Sequence, residues 1–462
     1  MSIEPIGILT VALGLYCLFR GFHAATVVFI ALTVFGSAAA ILAGSASIQP
    51  AHLFLIFFIF ATLPWQLNAN VALTTLRLGQ PGFWLACFVF YGALSGFFMP
   101  RLLAGATQII PVGSSEYPET GGTVPLGPLS SNFTQAVYLT ADLLCFLVIL
   151  TVASTKRGFA AVVAGLIAYG VANVVMALLD LATGATGTQS LLSFMRNAQY
   201  TFHDSESIAG MKRIVGSFPE ASAFAAMTLG IFGFTSTLWI CGRKVRWTGP
   251  LSFLSLVFIL LSTSSTGLVA TPLCAVVLYF TALARCGIGK HRRRSTVVVL
   301  FLPQILILAG ITVVLNKGLY DTLYNYADLL ILSKSTTPSG MERASWNAYG
   351  IQNFVDSWGL GVGLGTSRTS SFPIAVLSNV GIPGALFFLL FVYSSIGKKR
   401  GIERTAASDI RLAARTGCLF LLIGATVAGA MVDLGLLFFV MAGLASAQPE
   451  IADRELLRPR PA

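Results

Sequence analysis

Two stretches of this chain set cationic side chains beside carboxylates, in segments that read as loops between apolar runs. In the first, Lys212 and Arg213 precede Glu220 in the string Met211-Lys212-Arg213-Ile214-Val215-Gly216-Ser217-Phe218-Pro219-Glu220-Ala221. Ser217 and Glu220 stand at the S-x-x-E capping spacing, with Pro219 where a first helical turn tolerates it. The pattern predicts a helix N-terminus with Lys212 and Arg213 just before it. Free N–H groups, the positive dipole end and two cations would together attract an anion. Glu220 would then be either a plain helix cap or a general base at the membrane edge. His203, upstream in the same loop, would titrate near neutral pH.

The second stretch, Ser339-Gly340-Met341-Glu342-Arg343, repeats the capping spacing. It predicts a helix from about Gly340 to Ser357. Met341, Ala344, Ala348, Ile351 and Val355 would share one apolar face, with Trp346, Tyr349, Phe354 and Trp358 as interfacial aromatics. That is the pattern of an amphipathic helix lying on a membrane. Arg343 and Asn347, four residues apart, share a face of it. Gly359, Gly361, Gly363 and Gly365 follow at alternate positions, and then Arg368. No strand precedes these glycines, which excludes a dinucleotide-binding fingerprint. They would instead fold the backbone tightly around an anion. Asn379-Val380-Gly381-Ile382-Pro383-Gly384 predicts a kink in the next apolar run. Asp142, Asp180 and Asp433 lie within or at the ends of apolar runs, where a carboxylate is costly and so a functional candidate.

The elements that hold these residues must be membrane helices. The 462 residues are 55% hydrophobic and 10% charged, with a mean hydropathy of +0.81. A soluble domain carries about 25% charged residues. A crossing helix needs about 20 apolar residues, and about 12–13 such runs can be marked out, from Ile6–Phe19 and Ala24–Gly44 to Leu434–Ala447. None alternates as a barrel strand would. The fold class expected is an all-α polytopic bundle. The first run lacks a basic n-region, so it reads as a span and not a cleaved leader. The seven cysteines sit in apolar runs or beside a basic loop, without metal-ligand spacing.

The net charge of +11 does not call for nucleic acid as a partner. Of the 29 Lys and Arg residues, 21 fall on one side of the alternating ladder and 8 on the other. The richer side is expected to be cytoplasmic. Both stretches described above then face outward. The expected organisation is N-terminal spans over 1–182, an outward loop over 183–216 and central spans over 217–315. A long outward loop follows over 316–371, then C-terminal spans over 372–447 and a cytoplasmic tail over 448–462.

Taken together, these motifs resemble the O-antigen polymerase/ligase superfamily: Wzy-type polymerases, ExoQ-like exopolysaccharide polymerases and WaaL-type ligases. The matching parts are Arg213-x-x-Gly216-x-Phe218-Pro219-Glu220, the span ending Leu260-Leu261-Ser262-Thr263-Ser264-Ser265-Thr266-Gly267, Gly340-Met341-Glu342-Arg343 through Gly361-x-Gly363-x-Gly365, and Leu377-Ser378-Asn379-x-Gly381-Ile382-Pro383-Gly384. The resemblance implies a bundle of the type-B glycosyltransferase-C class in the bacterial inner membrane. It implies an undecaprenyl-diphosphate-linked oligosaccharide substrate met at the periplasmic face, and no metal or other cofactor. Membrane lipids, a flippase and a chain-length regulator are the implied neighbours. Arg213 and Arg343 would hold the donor diphosphate, helped by Lys212, Arg368, Asn347, Gly361, Gly363, Gly365 and His203. The base stays open among Glu220, His203, Glu342 and Asp356. Ligases of this group typically carry a His in the long loop, and residues 316–371 contain none. Polymerase is therefore the first expectation, ligase the second, and a polysaccharide transporter or flippase the alternative from another class.

Overall fold

In lipid, a backbone must satisfy its own polar groups, so a chain this apolar is restricted to helices or a closed barrel. The computed structural model is built of helices. It describes residues 2–43, 46–62, 69–112, 122–199, 207–208, 211–287 and 292–450. His203 and most of the tail 448–462 lie outside the described residues.

Among those residues the helices are α1 (Pro5–Arg20), α2 (Phe22–Leu32), α3 (Pro50–Thr62), α4 (Ala69–Thr75), α5 (Pro81–Leu102), α6 (Ser130–Ala153), α7 (Lys156–Thr186) and α8 (Ala221–Ile240). Then follow α9 (Val245–Leu261), α10 (Ser265–Leu283), α11 (Arg293–Leu315), α12 (Lys317–Leu330), α13 (Pro338–Asp356), α14 (Phe372–Val392), α15 (Ala406–Ala428) and α16 (Leu436–Ser446). Strands are two or three residues long. β1 (Ser2–Ile3), β2 (Ile41–Ala43) and β3 (Ala46–Ile48) form one antiparallel sheet, with Ile3 opposite Ile41 and Ile41 opposite Ile48. β4 (Gln108–Ile109) pairs with β5 (Val124–Pro125), and β6 (Ser207–Ile208) with β7 (Met211–Lys212).

Among the described residues eight helices are long and apolar enough to cross a membrane: α5, α6, α7, α8, α10, α11, α14 with its π-helical end, and α15. Five more, α1, α2, α3, α9 and α16, are apolar but shorter. The expected count of 12–13 crossings thus resolves into eight full-length helices and five shorter ones. Gly21, at φ 84°, separates α1 from α2. The expected span Ala24–Gly44 is helical only as far as Leu32. Beyond it the backbone finds partners elsewhere: Ser37 N–H donates to the Ser217 carbonyl (3.0 Å) and Ala39 N–H to Asn197 Oδ1 (2.8 Å). Tertiary hydrogen bonds there replace helical ones.

The bundle centres on α8, the most buried crossing helix, which packs on α9 and α15. At the opposite extreme, α11 buries only Ser295 and exposes Ile305, Leu306 and Leu308. So large an apolar surface on a helix matches lipid, not water.

The kink expected in α14 is present. Gly381 has φ 58° and ψ −163°, followed by Pro383. The glycine run leans on this break: Ile382 N–H donates to the Gly359 carbonyl (2.8 Å), Val362 to Ser378 (2.8 Å) and Gly363 to Asn379 (2.9 Å). A Cβ at Gly381 would stand 2.3 Å from the Gly359 oxygen, and one at Gly361 2.6 Å from the Asn379 oxygen. Gly381→Ala therefore combines left-handed strain, about 1–2 kcal/mol, with overpacking, about 1–3 kcal/mol. At Gly187 the φ is also positive, but a Cβ meets nothing within 4 Å. Thermal unfolding in detergent should show Gly381→Ala far less stable than Gly187→Ala. Equal melting temperatures would contradict the packing role of this kink.

Candidate functional site

The site rests on a carboxylate that has no water around it. Asp180, near the end of α7, is fully buried. Its Oδ1 accepts from Arg196 (2.7 Å) and from Lys212 Nζ (2.6 Å). Its Oδ2 accepts from the backbone N–H groups of Val215 (2.8 Å) and Gly216 (3.1 Å). Arg196 also donates to the Gly216 carbonyl, and Lys212 to the Asp180 carbonyl. Two cations and two amides thus hold residues 212–216 against α7. Ser217 continues the anchor: its hydroxyl donates to the Val34 carbonyl (2.7 Å) and its own carbonyl accepts from Ser37.

This changes the expected parts of two residues. Lys212 is committed to Asp180, where it serves as an internal counter-ion. Ser217 does not cap α8. That helix begins at Ala221 with Glu220 at the N-cap position, in extended backbone and without a side-chain cap bond. The Glu220 carboxylate is instead turned toward the long loop. It accepts from the Ser222 hydroxyl and from Arg343, whose guanidinium lies 3.2 Å from Oε2 and 3.4 Å from Oε1.

Arg343 arrives on α13. The helix starts two residues earlier than the sequence pattern suggested, because Thr337, not Ser339, is its cap: Thr337 Oγ1 accepts from Gly340 N–H (3.2 Å), with Pro338 at the first position. Ser339 Oγ instead takes a bond from Lys334. The buried residues of α13 are Gly350 and Asn353. Its apolar stripe of Met341, Ile351 and Val355 is exposed, on the side that lipid would cover. Asn347 Oδ1 accepts from the Ser370 N–H (2.8 Å), which ties α13 to the segment carrying Arg368. The Arg368 guanidinium lies over the Trp346 ring, 3.9 Å from its centroid. Its backbone N–H donates to the Ile110 carbonyl (2.8 Å).

Burial pulls the Arg368 pKa below its ordinary value. Glu220 and Glu342 oppose that shift, and Arg343 adds to it. Two guanidiniums from separate parts of the loop therefore share one electrostatic neighbourhood with two carboxylates. The Arg343 and Glu220 side chains are 29% and 35% exposed. A pair this open to solvent contributes little stability, on the order of 1 kcal/mol or less. It can open without unfolding the protein, and a ligand can reach it.

Arg213 comes within electrostatic reach of α12. Its charge acts on Tyr326 of α12, whose phenol pKa burial raises and Arg213 lowers. Gly361, Gly363 and Gly365 have φ of 82°, 105° and 76°, yet they serve packing. The N–H of Gly361 donates to Ser357 Oγ, and those of Thr366 and Ser367 to Asn379 Oδ1. Amides already committed to protein acceptors cannot form the anion-holding concavity expected of this run. Asp356, another candidate base, accepts from Gln352 on the same helix.

No model of a known protein family matches this chain, and no curated protein does.

Arg343, held on Glu220, and Arg368, stacked on Trp346, are thus carried by α13 and by the segment that Asn347 ties to it. Sequence reasoning passed over Arg196 and Ser222, which look like ordinary loop and helix residues until Asp180 and Glu220 are placed. Replacing Asp180 by Asn would leave two buried cations uncompensated, a loss of about 3–5 kcal/mol. Asp180→Asn should melt well below the wild type in detergent. An unchanged melting temperature would show that the ion network does not hold this loop.

Proposed function

We propose that this chain polymerises undecaprenyl-diphosphate-linked oligosaccharide repeat units into O-antigen or exopolysaccharide at the periplasmic face of the bacterial inner membrane. The observation that carries the reading is the solvent-accessible Arg343–Glu220 pair at the head of the most buried crossing helix, with the charges of Glu220, Glu342 and Arg343 also acting on Arg368. A lipid-linked diphosphate enters sideways from the bilayer, so a site between an interfacial helix and the bundle suits it. Arginine matches phosphate oxygens through planar paired donors.

The chemistry follows from the charges. In the empty site Arg343 is held by Glu220. A diphosphate would compete for Arg343 and release the carboxylate. Glu220 would then take the proton from an acceptor sugar hydroxyl as that oxygen attacks the anomeric carbon. The bond from the anomeric carbon to the diphosphate oxygen breaks, a glycosidic bond forms, and polyprenyl diphosphate leaves. Arg343 and Arg368 would stabilise the negative charge growing on the leaving group.

Removing one such donor typically lowers turnover by about 10²–10³-fold. Arg343→Ala and Arg368→Ala should each abolish long polymer in cells while the protein still inserts at normal abundance. Single lipid-linked repeat units should accumulate. Normal chain lengths in both variants would defeat the assignment, and accumulation of full-length lipid-linked polymer would mark a ligase instead.

A further inference from the structure

At the Lys- and Arg-rich end of the bundle a cavity of about 200 Å³ is lined by Arg243, Arg285, Arg292 and Arg404, with Asp409 the only acid among the described residues that line it. A single water needs roughly 10–15 Å³ of such space, so the cavity is built for something larger. We infer that it is a binding site for a phosphate group carried by an anionic ligand.

The charge balance argues for an anion. Asp409 is buried and holds two of the four guanidiniums: Arg243 Nε at 2.8 Å from Oδ2 and Arg285 at 2.6 Å from Oδ1. Among the described residues, no acid forms an ion pair with Arg292 or Arg404. Glu403 lies nearby but is exposed and paired with Lys399 at 2.9 Å. Among the described residues, four arginines thus line this space with one buried acid. Asp409 also fixes the orientation of Arg243 and Arg285, so part of the site is preorganised.

The helix ends point the same way. Arg243 lies just before α9, Arg292 is the N-cap residue of α11, and Arg404 precedes Thr405, the N-cap of α15. Three of the four arginines thus sit at helix N-termini, whose positive dipole ends favour an anion nearby.

The surroundings favour a phospholipid headgroup as the source. α11, which closes one side, is apolar and exposed along its length. Phe280 and Leu283 at the end of α10, and Val297 and Leu300 at the start of α11, are exposed at the same level. A lipid phosphate in the cavity would leave its acyl chains along these side chains. A soluble phosphate would use the arginines alone.

The test is lipid binding by the purified full chain in neutral detergent, read by native mass spectrometry. Phosphatidylglycerol, phosphatidylcholine and inorganic phosphate are the probes, each with wild type and with Arg292→Gln/Arg404→Gln. Among the described residues neither arginine holds an ion pair with an acid, so the double variant should fold; its elution volume and melting temperature without probe check this. A charge-assisted hydrogen bond lost to a phosphate corresponds to about tenfold in affinity. The expected result is saturable retention of phosphatidylglycerol over phosphatidylcholine, at least about tenfold weaker in the variant. Saturable binding of inorganic phosphate with the same loss, and no preference among lipids, would support the site with a soluble source. No saturable binding of either anionic probe, or equal binding by wild type and variant, would overturn it. Polymer formation is not the readout, so the result stands apart from the proposed transfer reaction.

Discussion

A carboxylate removed from water must find its counter-charges inside the protein, and Asp180 does so with partners drawn from two later segments. Arg196 and Lys212 reach it as ions, and Val215 and Gly216 as backbone donors. The approach of residues 212–216 to α7 is set by these bonds, and with it the point where α8 enters the bundle. Glu220 sits four residues beyond the last amide so held. Its carboxylate faces α13 because the chain before it has nowhere else to go. The placement of Glu220 and of the loop segments around it depends on this one buried charge.

Beyond that anchor the loop-bearing surface is organised in two tiers. The glycine run and the α14 kink form a lower tier of close backbone contacts, fixed by Asn379. The side chain of Asn379 accepts from Thr366 and Ser367 and donates to the Ser367 and Ala375 carbonyls. Asn132 adds a further clamp, donating to the Leu364 carbonyl and to Thr366. The upper tier is α13 and the segment 368–370, joined by Asn347 and by the stacking of Arg368 on Trp346. Rigid packing below and a solvent-accessible Arg343–Glu220 pair above is a sensible division. The ligand-facing groups can rearrange while their support does not.

Much of this was legible in the residues, and the failures have physical causes. Long apolar runs, such as those of α6 and α7, read directly as helices because no proline breaker in them competes. The run after Phe22 did not, since its second half is satisfied by Ser217 and Asn197, residues more than 150 positions away. Both expected capping boxes failed for a similar reason. Thr337, two residues upstream, won the α13 cap, and Glu220 found better partners in Ser222 and Arg343. Alternating glycines look alike whether they cradle a ligand or another backbone. Only the identity of the acceptors at their amides tells the two apart. Lys212 likewise could not be distinguished from a ligand-binding cation until its distance to Asp180 was known.

The central claim is that Arg343, Arg368 and Glu220 form one site for a lipid-linked diphosphate. The most direct measurement is a cryo-electron microscopy structure of the full chain in lipid nanodiscs with a polyprenyl diphosphate bound. The account predicts diphosphate density between the two guanidiniums, with Arg343 drawn away from Glu220 and the carboxylate left facing an open acceptor position. Diphosphate bound elsewhere on the protein, with the Arg343–Glu220 pair intact, would contradict it.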